Sequence, residues 1–213
     1  MDNIQAKKYL GQNFLRNRDI LKKIVGDESL WCAHVVEVGP GPGDLTNIIL
    51  EKSPLSLSLI EIDYDMVWLL LSRFSKNNIH LYWSDVLKVN ILPWNIQKDN
   101  INGIQLYEKK TELTLPSYHI YGNIPYYITS PIIHHFFYDV SLQPEVAIFT
   151  MQKEVADRIL ARDNKHSVLS LACQLIANIE KVCDINPNNF VPAPKVWSTC
   201  LKFTIKNDIL QKE

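Results

Sequence analysis

The run Asn123-Ile124-Pro125-Tyr126-Tyr127 contains the residue types that handling a purine amine requires. The exocyclic amine of adenine is a poor nucleophile, because its lone pair is delocalised into the ring. Two acceptors, the Asn123 side-chain oxygen and the Pro125 carbonyl, could take both amine hydrogens. They would favour a tetrahedral nitrogen with its lone pair turned toward a methyl donor. Proline suits such a turn, since its fixed φ holds the loop in one shape. Tyr126 offers a flat face for a base, a contact worth ~1–3 kcal/mol in single-stranded nucleic-acid sites, and the base must leave its stack to reach it. The same residues also make an ordinary turn, because Asn-x-Pro is a common turn former and Tyr is often half-buried.

Three further positions give that turn its context. Val38-Gly39-Pro40-Gly41-Pro42-Gly43-Asp44 sets three glycines at alternate positions between an apolar run and an amphipathic one. Glycines serve where backbone must turn tightly and approach a ligand with no Cβ in the way. A dinucleotide site uses G-x-G-x-x-G with the pyrophosphate on the helix N-terminus, and the sixth position here is Asp44, whose carboxylate repels phosphate. That favours a nucleoside-bearing cofactor over NAD, or a plain strand-to-helix connection. Glu61 follows Gly39 by 22 positions and can accept both hydroxyls of a ribose. Asp85, in Trp83-Ser84-Asp85-Val86, can accept a hydrogen bond from an adenine amine. Each acid alone reads equally well as an ordinary strand end. Ligands of open α/β sheets lie beyond the carboxyl ends of strands, so Gly39, Glu61, Asp85 and Asn123 on four successive tips would line one crevice.

The elements that must position them alternate. Apolar runs and helical periods from residue 34 onward predict a mostly parallel sheet with helices on both faces. Strands are expected near 34–39, 55–61, 79–83, 118–122, 145–150, 181–186 and 197–205, seven in all, and helices near 17–25, 43–52, 64–75, 130–138, 152–162 and 167–179. Residues 93–117, polar and carrying Pro93, Gly103 and Pro116, read as a long surface loop.

With 213 residues, 46% hydrophobic, and 22 basic against 23 acidic side chains, the chain excludes disordered, collagen-like and disulfide-scaffold classes. The net charge of −1 supplies no global pull toward nucleic acid, so polyanion contact must come from local patches. One such patch is residues 1–23, where six Lys and Arg oppose two Asp, a balance of +4. Cys32, Cys173, Cys183 and Cys200 form no C-x-x-C pair and read as buried, reduced thiols; no metal set is evident. The longest apolar run, 66–71, is too short to span a bilayer, and the N-terminus has no signal core, so a cytoplasmic protein is expected. His134 and His135 read as packing or rim residues and the five tryptophans as core or partly exposed packing. Lys153, Glu154, Asp157 and Arg158 are spaced for helix-face ion pairs.

With those residues assembled, the chain resembles the ribosomal RNA adenine dimethyltransferase family from Lys8 to about Phe203. The resemblance is carried by Tyr9-Leu10-Gly11-Gln12-Asn13-Phe14-Leu15, Val36-Glu37-Val38-Gly39-Pro40-Gly41, Gly122-Asn123-Ile124-Pro125-Tyr126, Met151-Gln152-Lys153-Glu154-Val155-Ala156-Asp157-Arg158-Ile159 and Phe190-Val191-Pro192-Ala193-Pro194-Lys195-Val196. It implies a Rossmann-like class I methyltransferase. The reaction implied moves methyls from S-adenosyl-L-methionine, leaving S-adenosylhomocysteine, to the amines of adjacent adenosines in small-subunit ribosomal RNA during assembly of an immature 30S-type subunit. Asn13, Leu15, Gly39, Gly41, Glu61, Asp85 and Asn123 would contact the methyl donor. Tyr126 and Phe190 would sandwich the base, and Asn123 and Pro125 would orient its amine. Catalysis would be mainly positioning, with no metal. The protein would act as a monomer, away from membranes.

The chain departs from the family in two places. Few residues follow Lys202 where relatives continue into a small helical domain, which is expected to be absent or truncated here, and His166-Ser167-Val168 replaces the Tyr-Gly-Arg that often precedes the Leu-Ser helix. Both weaken RNA affinity more than cofactor binding. Residues 1–30 are expected to form a basic lid over the cofactor, 31–206 the methyltransferase domain and 207–213 a tail. Two other readings share the motif: the large-subunit methyltransferase of antibiotic resistance, and a non-catalytic relative that binds RNA or assembly factors. Thr129-Ser130-Pro131 and Met151-Gln152-Lys153-Glu154 favour the assembly enzyme over the resistance enzyme.

Overall fold

The computed structural model of the protein describes residues 6–26, 30–93, 104–108, 112–161 and 167–206. In its first half the elements run β1 (Phe14–Leu15), α1 (Arg18–Val25), β2 (His34–Val38), α2 (Asp44–Glu51), β3 (Ser56–Glu61), α3 (Tyr64–Arg73), β4 (Ile79–Trp83), β5 (Asn90–Pro93), β6 (Ile104–Glu108) and β7 (Glu112–Leu115). The second half runs β8 (His119–Asn123), α4 (Thr129–His134), β9 (Val146–Gln152), α5 (Lys153–Ile159), α6 (Val168–Ile176), β10 (Ala177–Ile185), β11 (Phe190–Val191) and β12 (Ser198–Ile205). A π-type turn, His135–Asp139, continues α4.

Eight strands form the main sheet in the order β10-β12-β9-β8-β2-β3-β4-β6. From β9 to β6 neighbouring strands are parallel; β12 runs antiparallel to both β9 and β10. At the centre, β2 alternates its side chains between two cores. Val35 packs with α1, α2 and α3, including Leu21, Ile48 and Leu70, whereas Val36 and Val38 pack with α4, including Ile132 and Ile133. Strands buried on both faces read as near-continuous apolar runs, a pattern that Val35, Val36 and Val38 follow and the buried Glu37 interrupts.

Two expectations are corrected. The stretch 93–117 is not simply a loop: β6 adds an eighth strand beside β4, and β7 pairs with β5 in a small parallel sheet. Leu113 and Leu115 are buried, and Tyr107 stacks on Tyr82 at 4.8 Å, so short alternations there are held by cross-strand packing. The helix expected to reach residue 179 stops at Ile176, because Ala177 begins eight register pairs with β12. Tertiary pairing overrides local helical preference at that junction.

His135 is buried with Nε2 2.8 Å from the Val89 carbonyl, a packing role. Lys153–Asp157 and Arg158–Glu154 are i,i+4 ion pairs. Cys32 is exposed and Cys183 half-buried, contrary to the expectation of four buried thiols; all four are free. Trp83 is partly buried and packs against the core, as expected, whereas Trp31, Trp68 and Trp197 are exposed. Trp94, His166 and residues 207–213 lie outside the described residues. Among the described residues, no helix is long and apolar enough to cross a membrane.

Candidate active site

The carboxyl ends of β2, β3, β4 and β8 open into one crevice of about 290 Å³, lined by Gly39 and Gly41 from the first tip, Glu61 from the second, Asp85 from the third and Asn123 from the fourth. Pro125, Tyr126 and Asn13 line it as well. The parallel register creates this convergence: Val38 pairs with both Ile60 and Gly122, so adjacent strands end at one level.

Gly41 shows why the first tip is glycine-rich. Its φ is +53°, and a Cβ there would stand 2.8 Å from the Phe14 ring, so any side chain would expel that ring. Its N–H donates to Glu61 Oε2 at 3.0 Å, tying the first tip to the second. Glu61 Oε1 accepts from the N–H groups of Ile62 and Asp63 at 2.9 and 2.8 Å. A carboxylate offers about four lone-pair sites, so three are occupied and one, on Oε2, is left. This side chain therefore has room for one ribose hydroxyl, not two. Burial, opposed by those N–H groups, pushes its pKa up to about 7.

Asp85 caps the one-turn helix after β4, accepting from the Leu87 N–H at 3.1 Å. Asn123 Nδ2 donates to the Asn13 carbonyl at 2.7 Å. A carbonyl only accepts, so this contact fixes which end of the amide faces Asn13 and turns Oδ1 away from it. Pro125 corrects one expectation. Its carbonyl already accepts from the Ile128 N–H at 3.2 Å, and Thr129 Oγ1, 3.4 Å away, shares its one hydrogen between this carbonyl and that of Tyr126 at 3.3 Å. The Ile124 carbonyl, one residue earlier on the crevice wall, receives no donor among the described residues. Tyr126 points its hydroxyl to Ser198 Oγ at 2.6 Å, and burial, partly offset by that bond, raises its pKa and keeps it neutral.

Residues 6–17 cross the crevice as a strap. Its first anchor is Asp63, which is buried: Oδ1 accepts from Lys7 Nζ at 2.5 Å and Oδ2 from Gln12 Nε2 at 2.7 Å. Lys7 also reaches Asp65 at 2.6 Å. Burial works to raise the Asp63 carboxyl, but the Lys7 and Gln12 hydrogen bonds outweigh it and hold the group below its ordinary range. The second anchor is β1 itself, paired antiparallel with β11, Phe14 opposite Val191 and Leu15 opposite Phe190. The third is Arg16, 2.7 Å from Asp44, which Arg73 also approaches at 3.6 Å. The Asp44 charge is thus compensated on the protein. Beyond the strap, α1 buries Leu21, Ile24 and Val25 in the core.

Asp63 also accepts from the Asp65 N–H at 3.0 Å as the N-cap of α3. Asp63→Asn keeps that cap but weakens both strap contacts. A partly exposed ion pair is worth about 1 kcal/mol and a hydrogen bond to an ionised carboxylate about 1.5–3 kcal/mol, of which the amide keeps only part. Amide hydrogen exchange over residues 7–13 is therefore expected to quicken about fivefold or more while α3 keeps its protection; equal protection in both segments counts against the anchor.

Two residues assigned from the sequence do not reach the crevice. Leu15 and Phe190 are both buried and share the core beneath α1 and α2. Phe190 therefore does not flank a base from the position it holds here. Sequence reasoning missed Lys7 and Asp63, whose pairing spans 56 positions and leaves no local signal.

The family model described as ribosomal RNA adenine dimethylase matches residues 3–213. The ribosomal RNA small subunit methyltransferase A of Pelagibacter ubique is 34% identical over 212 residues, which is 98% of this chain and 73% of that protein. The protein of the same name from Mycoplasmopsis pulmonis is 36% identical over 207 residues, 96% of this chain and 73% of its own. Among solved structures, a dimethyladenosine transferase from Plasmodium falciparum superposes with a TM-score of 0.72 at 28% identity, covering 94% of this chain and 66% of that one. The 23S rRNA methyltransferase ErmE gives a TM-score of 0.69 at 24% identity over 92% of this chain and 70% of its own, a likeness of fold alone. The motifs, the strand-tip crevice and these matches agree: the chain belongs to the ribosomal RNA adenine dimethylase family of methyltransferases.

Proposed function

We propose that the chain dimethylates adenosines of small-subunit ribosomal RNA at their exocyclic amine, using S-adenosylmethionine, within the assembling subunit in the cytoplasm. The observation that carries this reading is the Asn123 amide, oriented by the Asn13 carbonyl and facing a crevice whose other walls are Gly39, Glu61 and Asp85. The donor set fits the cofactor: a bare glycine turn, one open carboxylate site on Glu61 for a hydroxyl and an acceptor on Asp85 for an adenine amine. When bound, the cofactor supplies a methyl group already activated on sulfur.

The chain's own residues then position the acceptor base. Asn123 Oδ1 takes one amine hydrogen and the Ile124 carbonyl the other, with Pro125 fixing the turn that presents them. Tyr126, held at its hydroxyl by Ser198, supplies a ring face for the base. Phe190 acts from behind, supporting β1 and thereby Asn13. The strap of residues 6–17 excludes water from the crevice, which strengthens every hydrogen bond inside it.

Incubation of the protein with labelled methyl donor and immature small subunits tests the reading. Label is expected in dimethyladenosine of the small-subunit RNA. Cofactor binding without transfer to adenosine, or transfer to large-subunit RNA instead, overturns it.

A further inference from the structure

Tyr127 stands beside the residues given a role above and has none of its own. Its ring lines the crevice yet remains 61% exposed, whereas the neighbouring Tyr126 is drawn inward by its hydroxyl. One side of the Tyr127 ring is backed by the strap at Gly11. That residue has φ +62°, and a Cβ on it would stand 3.1 Å from ring atoms Cδ1 and Cε1, so the bare glycine lets ring and backbone meet. The rest of the ring faces solvent at the mouth.

A ring fixed on one side and open on the other, at the lip of a hollow that takes a base, is a stacking surface. The turn leading into Gly11 adds chemistry of the same kind. Tyr9 is 76% exposed, and Lys8 is exposed with no carboxylate partner among the described residues, while Lys7 is taken by Asp63 and Asp65. Exposed rings beside an unpaired ammonium suit the bases and phosphates of a single strand. We propose that Tyr127 stacks on the RNA base adjacent to the one being methylated, holding the strand while the target base enters the crevice. This rests on the function proposed above. Because its backing is the strap, the platform is complete only when the strap is in place.

The test compares the full chain with Tyr127→Ala and Tyr127→Phe. Methyl transfer, cofactor affinity and direct binding of an RNA hairpin with two adjacent unpaired adenosines are measured for each. One lost base–aromatic stack raises the KM and Kd for RNA about 5- to 150-fold in Tyr127→Ala, with Tyr127→Phe within about twofold of the parent and cofactor affinity unchanged. Unchanged RNA affinity in Tyr127→Ala overturns the proposal, as does an equal loss in Tyr127→Phe, which would point to the hydroxyl. A cofactor affinity that weakens in step with RNA affinity also overturns it, because the ring would then merely pack the strap. Hairpin binding is read without turnover, so a parent protein that transfers no methyl defeats the functional reading while the stacking is still decided.

Discussion

Asn123→Ala is expected to lower methyl transfer by about 10²- to 10³-fold at saturating cofactor and RNA, the usual loss when one positioned acceptor or donor leaves a reacting centre. The side chain works at both ends: Nδ2 holds the Asn13 carbonyl at 2.7 Å, and Oδ1 is left for the amine. Removing it loosens the strap by one hydrogen bond, worth about 1 kcal/mol, so cofactor affinity falls less than about tenfold. Turnover should fall much further than affinity, because orientation of the nucleophile is lost as well. Asn123→Asp separates the two ends. It keeps an acceptor but has no N–H for the Asn13 carbonyl, and an oxygen replaces nitrogen at that contact, so it should recover little activity. Stopped-flow transfer with parallel cofactor titrations checks this. A turnover loss that only tracks cofactor affinity would reduce Asn123 to a cofactor contact.

The parts legible in the sequence were those with local causes. The seven strands expected are all present, since each is a short run with apolar residues at continuous or alternate positions, bounded by turns, and the tips of four of them carry Gly39, Glu61, Asp85 and Asn123 into one crevice. β6 was not legible, because its five residues are stabilised by β4 beside them and by the Tyr107–Tyr82 stack, not by a long alternating run. The hydrogen-bond bookkeeping of the site was equally hidden. That Pro125 spends its carbonyl on Ile128, and that Glu61 has one open site left, depends on backbone geometry after folding. Phe190 shows a different limit. Its motif marks it as important, but whether an aromatic ring faces a ligand or a core is decided by its partner strand, here Leu15 across β1 and β11.

Glu37 makes the stability of the protein depend on pH. It lies in the middle of the sheet, fully buried, with Thr46 Oγ1 donating to Oε2 at 2.7 Å. Burial, opposed by that hydroxyl and reinforced by the nearby Glu61 and Asp44 charges, pushes its pKa up to about 8. In the unfolded chain a glutamate ionises near pH ~4.3. Between those values the folded protein holds a proton that the unfolded chain has released, so stability falls as pH rises and levels off only above the folded pKa. Glu61, pushed up to about 7, adds to the same slope at its lower end. Each group contributes up to ~1.4 kcal/mol per pH unit. Glu37→Gln preserves the shape and an acceptor for Thr46 but cannot ionise. It should therefore be more stable than the parent at pH ~8.5 by about 1–3 kcal/mol, allowing for relaxation and water penetration around the parent's carboxylate. Between pH ~5 and pH ~7 the variant should lose stability on the Glu61 slope alone, about half as steeply as the parent, whose added Glu37 slope continues to pH ~8. Urea unfolding at half-unit steps across this range resolves the difference; two parallel curves would mean that Glu37 is already ionised in the native sheet at neutral pH.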